Sequence, residues 1–495
     1  MKIRNSLLLF LLFTVLLLAV AVRAQDDGTG TGDGSGDGSG DGTDTGDGTD
    51  DGTGTGDGTG DGTDTGDGTG DGTGTGDGTG DGTVDTQPAP TESDSAPQPS
   101  STSTPPIDDN GPAGTGAVDQ ATCNALKQIF NSMNGNGWAI NTGWSGNDMA
   151  SCCSGWFGVT CNNGAVTKIE LPYNNLVGTL PDVFGSIGTL MTLDLSHNQI
   201  SGSIPGSLSA NMANLRFLNL DVNAMNGNLP GFQNMPMLSS IHLKNNTFTG
   251  SIPDSWGSIL TLTDIYLSNN NLTGPFPGAV LSLSQLVNLA LDNNQINGVI
   301  PNNLGTMTSL QTFNLKDNHI LGPIPESVGN LTGLTSLLIS HQMLNGTIPE
   351  SIYNLANLEY LDLSNNRLRG NISPNIGRLQ KLKRIMLGHN GLNGNIPEEF
   401  GTLSALEYIQ LNFNQLNGQF PGFMAPRALG YCYMTPNQFQ LCPDQTIVGN
   451  PNSMAFQCAT DCIVGSTRPG AGSSTRVNLM TLITLAMAAL AFVLI

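Results

Sequence analysis

The histidines are the residues of this chain best suited to acid–base or metal chemistry, but their spacing does not assemble a catalytic centre. His197, His341 and His389 occupy one position of a repeated segment and lie several repeats apart, too far for a shared metal or a proton relay. The sequence also lacks a nucleophile elbow, a phosphate loop and zinc-ligand spacing. We therefore expect no enzymatic activity, no cofactor and no metal site.

The cysteines lie only on either side of the repeated segment. An even number of cysteines in a chain with a secretory leader predicts disulfides that staple both ends. At the C-terminal side the local spacing favours the pairs Cys432–Cys442 and Cys458–Cys462. A zinc site at Cys458 and Cys462 is the disfavoured alternative, because the secretory route is oxidising and no histidine lies nearby. The eight cysteines are Cys123, Cys152, Cys153, Cys161, Cys432, Cys442, Cys458 and Cys462.

A unit of 24 residues is repeated about eleven times between Ala165 and Pro421. A fixed period of this length predicts a solenoid. In each copy the spacing Leu-x-x-Leu-x-Leu places leucines on the inward side of a short strand, so the coils stack into a parallel sheet. We expect the asparagine after the strand to be structural, with its amide satisfied by the backbone of adjacent coils. These residues are Asn174, Asn198, Asn223, Asn246, Asn270, Asn294, Asn318, Asn366, Asn390 and Asn414, with Gln342 in place of one.

The segment before the repeats resembles a known cap. Its characteristic residues are Cys123, Ala125, Leu126, Trp144, Cys152, Cys153, Trp156, Gly158, Val159 and Cys161. They resemble the N-terminal cap of plant-type extracellular leucine-rich-repeat proteins, which include receptor kinases and polygalacturonase inhibitors, and the repeats with Gly before Ile-Pro resemble the same group. The resemblance covers about 119–421 and implies an α/β leucine-rich-repeat horseshoe with a short parallel β-sheet on its concave side. It also implies the pairs Cys123–Cys152 and Cys153–Cys161, whereas spacing alone allows three pairings.

An acidic stalk is expected ahead of this cap. Residues 26–109 hold 21 of the 40 acidic residues and no Lys or Arg, so most of the formal net charge of −23 belongs there. Such a charge argues against a nucleic-acid partner. Because the segment offers nothing apolar to bury before Val84, we predict that it is disordered.

The whole chain then divides into seven parts. We predict a signal peptide at 1–24, a disordered acidic and then Pro/Ser/Thr-rich stalk at 25–117, an N-terminal cap at 118–164, leucine-rich repeats at 165–424, a C-terminal cysteine cap at 425–464, a polar spacer at 465–476 and an apolar tail at 477–495.

The apolar tail with its polar spacer is typical of a glycosylphosphatidylinositol signal, in which the tail is removed and a lipid anchor attached. A single transmembrane helix is the alternative, since nineteen residues could span a bilayer. It is disfavoured because no basic residue follows the tail. Candidate attachment residues are Gly465, Gly470, Ala471, Gly472 and Ser473.

The variable positions of the predicted concave face are the candidate ligand contacts. Aromatic residues on a rigid surface are typical anchors for partners. We expect exposed aromatic rings at Tyr173, Phe217, Tyr266, Tyr360, Tyr408 and Phe413, of which Tyr360, Tyr408 and Phe413 form the best cluster. The predicted ligand-binding residues are Tyr266, Tyr360, Asp362, Lys383, Arg384, His389, Tyr408 and Phe413.

Six basic residues lie within 18 positions near the end of the repeats. In an acidic chain they could meet an anionic glycan, a pectin-like polymer or an acidic protein. The alternative is a solvated surface paired with nearby glutamates. The six are Arg367, Arg369, Arg378, Lys381, Lys383 and Arg384.

Five Asn-x-Ser/Thr sequons are candidate N-glycosylation sites. A glycan on Asn245 would point into the concave face and block partners there. The five are Asn245, Asn271, Asn330, Asn345 and Asn371.

Taken together, the sequence favours a cell-surface recognition protein, held at the outer leaflet of the plasma membrane by a lipid anchor, with the cell wall as the alternative location. Its ligand would be an extracellular protein, a peptide or a wall polysaccharide, and a membrane co-receptor would be needed for signalling. The alternatives are a structural wall or adhesion protein, and an inhibitor of a secreted hydrolase such as a polygalacturonase.

Overall fold

The computed structural model describes residues 119–146 and 152–458. The predicted signal peptide, stalk, spacer, tail and anchor-attachment residues lie outside this part of the chain. Within it, the main feature is a 13-stranded sheet in which each coil of a solenoid contributes one strand. The predicted leucine-rich-repeat solenoid is confirmed.

Twelve strands of this main sheet are parallel and in sequence order, and we number their coils 1–12. A thirteenth strand, Val159–Asn162, pairs antiparallel with the strand of coil 1 and covers the N-terminal edge of the sheet. The strands of coils 1–12 are Ala165–Glu170, Thr192–Asp194, Phe217–Asn219, Ser240–His242, Asp264–Tyr266, Asn288–Ala290, Thr312–Asn314, Ser336–Leu338, Tyr360–Asp362, Arg384–Met386, Tyr408–Gln410 and Tyr431–Tyr433.

Most coils then continue into a second short strand, turn at a glycine within or just after it, and go on to a helical turn. Gly298 has φ +81°, a value that a side chain rarely permits, and equivalent glycines recur along the solenoid. The second strands, which we call lateral strands, are Val177–Thr179, Gln199–Gly202, Ala224–Asn228, Thr247–Gly250, Asn271–Leu272, Leu321–Pro323, Met343–Asn345, Arg369–Asn371, Gly391–Gly394 and Gln415–Leu416. The helical turns are Phe184–Ser186, Gly206–Ala210, Asp254–Ser258, Gly278–Ser282, Leu304–Thr306, Glu326–Asn330, Glu350–Asn354, Pro374–Arg378 and Glu398–Thr402.

The solenoid interior contains the leucines of the repeat and an amide at each turn. Leu291 is fully buried, and burial of such a side chain stabilises the fold by about 2 kcal/mol. Asn294 shows the role of the amide: its Nδ2 donates to the carbonyls of Leu267 and Leu291, and its Oδ1 accepts the N–H of Leu272. These hydrogen bonds satisfy backbone groups that the coil leaves unpaired, which is the structural role predicted for the asparagines.

An aromatic N-terminal cap closes one end. Its helix, Gln120–Ser132, is capped by Asp119, whose carboxylate accepts the N–H of Ala121 at 3.1 Å. A short helical turn follows at Gly135–Gly137. Trp144 lies 4.9 Å from Trp138 and 5.0 Å from Trp156, ring centre to ring centre, so rings cover the apolar face of coil 1. The disulfides here are Cys123–Cys152 and Cys153–Cys161, as the family resemblance implies.

The C-terminal end differs from the prediction in two respects. The repeat frame does not stop at Pro421, because Tyr431–Tyr433 forms coil 12 and Asn437 accepts the N–H of Leu416. The predicted pairs Cys432–Cys442 and Cys458–Cys462 are also wrong, since Cys432 bonds to Cys458.

The reason for the changed pairing is that Cys432 occupies an inward-facing position of coil 12. Its partner Cys458 directly follows the helix Met454–Gln457, which the disulfide ties to the end of the solenoid. Cys442 is also disulfide-bonded. A further helical turn spans Gln445–Val448.

Candidate binding surface

Strand register aligns aromatic and basic side chains at the C-terminal end of the main sheet. Tyr360 of coil 9 pairs with Arg384 of coil 10, which pairs with Tyr408 of coil 11 and then Tyr431 of coil 12. Tyr433 points to the same face, two residues further along coil 12. We call these five residues the aromatic cluster.

Tyr408 contacts three other members of the aromatic cluster. The guanidinium carbon of Arg384 lies 4.7 Å from the ring centre of Tyr408, a cation–π distance. The ring of Tyr408 is also 6.1 Å from that of Tyr431 and 5.8 Å from that of Tyr433. Tyr431 is 64% exposed and Tyr433 43% exposed, so the cluster presents open aromatic surface at the end of the sheet.

Tyr431 and Tyr433 are absent from the predicted site because the sequence analysis placed them in a cap. The signal was present: Leu429, Cys432, Met434 and Asn437 follow the spacing of the repeat, with Cys and Met in place of leucines. Both residue types fill inward positions well because they are apolar.

Next to the cluster, His389 and Phe413 stack face to face with ring centres 4.2 Å apart. Phe413 is 50% exposed. Partial burial and the nearby His341 lower the pKa of His389, which favours the neutral imidazole in this stack. These two predicted residues thus lie together on coils 10 and 11.

Other predicted contacts do not belong to the exposed surface. Asp362 is 7% exposed, and its carboxylate accepts the N–H and the hydroxyl of Ser364 at 3.0 and 2.6 Å. Phe217 is buried and packs against His242, so its predicted exposure is wrong. In both cases a neighbouring side chain on the sheet face covers the residue.

Tyr266 lies four coils before Tyr360 and is not part of the aromatic cluster. It is half-buried, with its ring centre 4.6 Å from that of His242. Burial, together with the carboxylates of Asp264 and Asp221, raises the pKa of its hydroxyl. The phenol therefore stays protonated.

The predicted basic patch is divided among different faces. Lys383 and Arg384 lie on the main sheet, whereas Arg367 and Arg369 lie on a lateral strand and its preceding turn. The Nζ of Lys383 bonds the carboxylate of Glu359 at 2.7 Å, and this bond raises the pKa of Lys383. Lys383 therefore behaves as the alternative interpretation expects, paired with a glutamate on a solvated surface.

Of the remaining two bases, Arg378 ends the helical turn Pro374–Arg378 and Lys381 follows it. Lys381 donates to the side-chain oxygen of Asn357 at 2.8 Å. No single face of the described residues therefore collects all six charges.

Coils 3 and 4 contain a Ser–His–Asp arrangement that resembles a catalytic triad in outline. The hydroxyl of Ser240 is 2.9 Å from Nε2 of His242, whose Nδ1 is 3.8 Å from the carboxylate of Asp221. The last distance is too long for a hydrogen bond, and Ser240 is only 2% exposed. The side chain of Lys244 also competes for Asp221 at 3.5 Å. In this geometry the serine hydroxyl cannot reach a substrate carbonyl.

All five predicted glycosylation residues have exposed side chains. Asn271, Asn345 and Asn371 lie on lateral strands, Asn330 ends a helical turn, and Asn245 lies on the main-sheet side of coil 4. No sequon follows Asn371 in the sequence, so coils 10–12 are free of acceptor asparagines.

Residues 119–146 and 152–458 lack both a cluster of metal-ligating side chains and a membrane-spanning helix. This part of the chain holds no group of three or more His, Cys, Asp or Glu side chains arranged to bind a metal. It also holds no helix with the length and apolar character needed to cross a membrane.

The repeats match known sequences. Residues 165–225 and 260–320 match one profile described as leucine rich repeat, and residues 237–259, 357–379 and 381–403 match a second profile of the same description. Phytosulfokine receptor 1 of Arabidopsis thaliana is 36% identical over 97 residues, which are 19% of this chain and 10% of the relative. Receptor-like protein 6 of the same plant is 42% identical over 69 residues, or 14% of this chain and 7% of the relative.

Solved structures give the same result. The plant peptide hormone receptor RGFR1 in complex with RGF2 has a TM-score of 0.53 and 31% identity, covering 55% of this chain and 43% of the receptor chain. A TDR receptor has a TM-score of 0.50 and 26% identity, covering 55% of each chain. This chain is thus a leucine-rich-repeat solenoid whose repeats are homologous to those of plant receptor ectodomains. It spans only about a tenth of the length of the curated relatives it matches.

Proposed function

We propose that this protein is an extracellular recognition protein that binds an extended peptide segment of a partner through the aromatic cluster. The observation that carries the proposal is the alignment of Tyr360, Arg384, Tyr408 and Tyr431 on four successive coils, with Tyr433 beside them. Tyrosine and arginine are the residue types that most often dominate binding energy at protein interfaces. Here they stand on a rigid sheet, so little conformational entropy is lost when a ligand binds.

The surroundings of the cluster support a peptide ligand. Tyrosine hydroxyls and the Arg384 guanidinium offer hydrogen bonds to peptide carbonyls, while the rings offer apolar contact. The structure of RGFR1, one of the similar proteins, is described as a peptide hormone receptor in complex with RGF2. The centre of the sheet is less suitable, because its polar groups bond one another: Asn288 donates to Asp264 at 2.7 Å and Asn314 to Asp292 at 2.8 Å.

The distribution of sequons agrees with this location. A glycan on Asn245 would cover the main-sheet side at coil 4, seven coils from Tyr408, whereas no acceptor follows Asn371. Ligand access would therefore remain open at coils 10–12 even if all sites are occupied.

A peptide-capture experiment tests the proposal. The full chain, displayed on cells, is incubated with the peptide fraction of secreted material, and retained peptides are identified by mass spectrometry. We expect defined peptides whose retention falls about tenfold or more in Tyr408→Ala and Tyr431→Ala. The matched control is Tyr173→Ala, which removes an exposed tyrosine from the opposite end of the sheet. Equal retention by the cluster variants and the control would contradict the proposal.

We further propose display at the outer leaflet of the plasma membrane through a lipid anchor, with a membrane co-receptor carrying any signal. The support is the sequence pattern of the spacer and tail, which lies outside the described residues. Phospholipase treatment of cells tests the anchor: released protein agrees with it, and protein that stays on the membrane rules it out. The hydrolase-inhibitor alternative is weaker, because Lys383 is already paired with Glu359.

A further inference from the structure

One position of the repeat has a left-handed backbone in every coil from 1 to 11. It directly precedes the structural amide, and its φ lies between +53° and +56°. Asparagine, aspartate and histidine tolerate this conformation best, and they fill eight of the eleven positions. The other three are Tyr173, Val222 and Phe413, in which a bulky or branched side chain adopts a strained backbone.

The two aromatic exceptions share further properties. Tyr173 lies on coil 1 and Phe413 on coil 11, and each ring stacks on the histidine of an adjacent coil. The Tyr173 ring is 4.0 Å from that of His197, with 12° between the ring planes. Tyr173 is nevertheless 71% exposed, which leaves its outer face open. Strain that persists at an exposed side chain points to a use for that side chain.

The surroundings of Tyr173 define the chemistry that would fit it. Asn175 accepts a hydrogen bond from the amide of Gln199 at 2.9 Å, and these two linked amides lie two residues after Tyr173 and His197 in their coils. Ile140 and Pro172 are exposed nearby and are apolar.

We infer that Tyr173 and His197 form a platform for a neutral saccharide, separate from the peptide site of the aromatic cluster. The C–H groups on one side of a sugar ring carry partial positive charge and are attracted to the negative face of an aromatic ring. The adjacent amides can bond sugar hydroxyls through both their donors and their acceptors. A single flat ring does not form the groove that a proline-rich peptide requires. A polyanionic polymer would need basic side chains, and the platform residues Tyr173, Asn175 and Gln199 carry no charge.

Affinity electrophoresis of the full chain tests this inference. Native gels contain either xyloglucan or arabinoxylan, which are neutral, or polygalacturonate, which is acidic. We expect at least one neutral polymer to retard the wild-type protein, and Tyr173→Asn to reduce that retardation about tenfold or more. Retardation by neither neutral polymer, or by polygalacturonate alone, overturns the inference.

The choice of asparagine makes the test independent of folding. Asparagine suits the left-handed backbone, so Tyr173→Asn should keep its melting temperature within about 2 °C of the wild type while losing the ring. Val222→Asn is the matched control, since it makes the same replacement at the same backbone position without removing an aromatic ring. Tyr431→Ala should leave saccharide retardation unchanged. If Val222→Asn or Tyr431→Ala weakens retardation as much as Tyr173→Asn, the assignment to Tyr173 is wrong.

Discussion

Replacing the amide of Asn294 gives a quantitative test of how the solenoid is held together. This amide makes four hydrogen bonds with the backbone, but they are not equally important. The carbonyls of Leu267 and Leu291 each accept a second amide, from Asn270 and Asn318 respectively. The N–H of Leu272, in contrast, has Oδ1 of Asn294 as its acceptor, at 3.0 Å.

The magnitude follows from that asymmetry. Asn294→Ala leaves the buried N–H of Leu272 without an acceptor, which costs about 2 kcal/mol, and loss of the other bonds adds about 1 kcal/mol. We therefore expect a destabilisation of about 3 kcal/mol. Asn294→Asp has the same shape but places a carboxylate oxygen against carbonyl oxygens in a buried position, so we expect a larger loss, about 4 kcal/mol or more.

The chain itself indicates what a glutamine would do at this position. Gln342 occupies the equivalent place in coil 8, where its Oε1 accepts the N–H of Ile320 at 2.8 Å and its Nε2 donates to two carbonyls. Since the essential acceptor is retained, Asn294→Gln should cost about 1 kcal/mol or less. The control is the exposed neighbour Gln295→Ala, expected within about 0.5 kcal/mol of the wild type.

Equilibrium urea unfolding of the full chain, monitored by circular dichroism, gives these differences in unfolding free energy, provided that the dependence of the free energy on urea concentration is the same in all variants. Hydrogen exchange of the Leu272 amide reports the local effect and should accelerate in Asn294→Ala. The reasoning is refuted if the alanine variant loses less than about 1 kcal/mol, or if aspartate is tolerated better than alanine.

Three further perturbations test separate features. Burial raises the pKa of Asp292, so the folded state binds a proton more readily than the unfolded chain. The free energy of unfolding therefore falls as the pH rises from the unfolded pKa, about 3.9, through the raised folded pKa. Asp292→Asn should reduce this fall in a urea-unfolding series that starts below about pH 4, and an unchanged pH dependence would oppose the reasoning. Removing the disulfide with Cys432→Ala and Cys458→Ala should lower the free energy of unfolding by about 3 kcal/mol, given a sequence separation of 26. An unchanged free energy in urea unfolding would show that tying the terminal helix to the solenoid contributes little to stability. Lys383→Ala breaks a largely solvated ion pair with Glu359 and should change the free energy of unfolding by less than about 1 kcal/mol. A larger loss would indicate that Lys383 has a structural role.

The inward part of the fold was predictable because each position in it obeys a fixed period. Leucine and asparagine recur at positions where a substitution leaves a cavity or an unpaired backbone group, so the pattern indicates the coils directly. Coil 12 was missed because Cys432 and Met434 stand where the pattern has leucines. The wrong disulfide prediction has the same cause. Spacing favoured a pair between neighbouring cysteines, whereas the inward position of Cys432 directs its sulfur toward the terminal helix.

The binding surface was less predictable, because the availability of a variable side chain depends on its neighbours in adjacent coils. Asp362 and Lys383 both lie on the main sheet, but Ser364 and Glu359 engage them. Such contacts join residues whose types vary from coil to coil, so no period in the sequence reveals them. The position of Tyr408 on the main sheet could be predicted because it follows the repeat, whereas its cation–π contact with Arg384 is visible only in the structure.

The position of the exposed rings at both ends of the solenoid has a partly geometric cause. A side chain on coil 1 or coil 12 has a neighbouring coil on one side only, so high exposure of Tyr173 and Tyr431 is expected from their place alone. Geometry does not explain why these side chains are aromatic. A serine or asparagine would satisfy the same backbone without exposing apolar surface to water, and at Tyr173 asparagine would also relieve the left-handed strain. The aromatic identity of these residues, rather than their exposure, is therefore the property that points to binding.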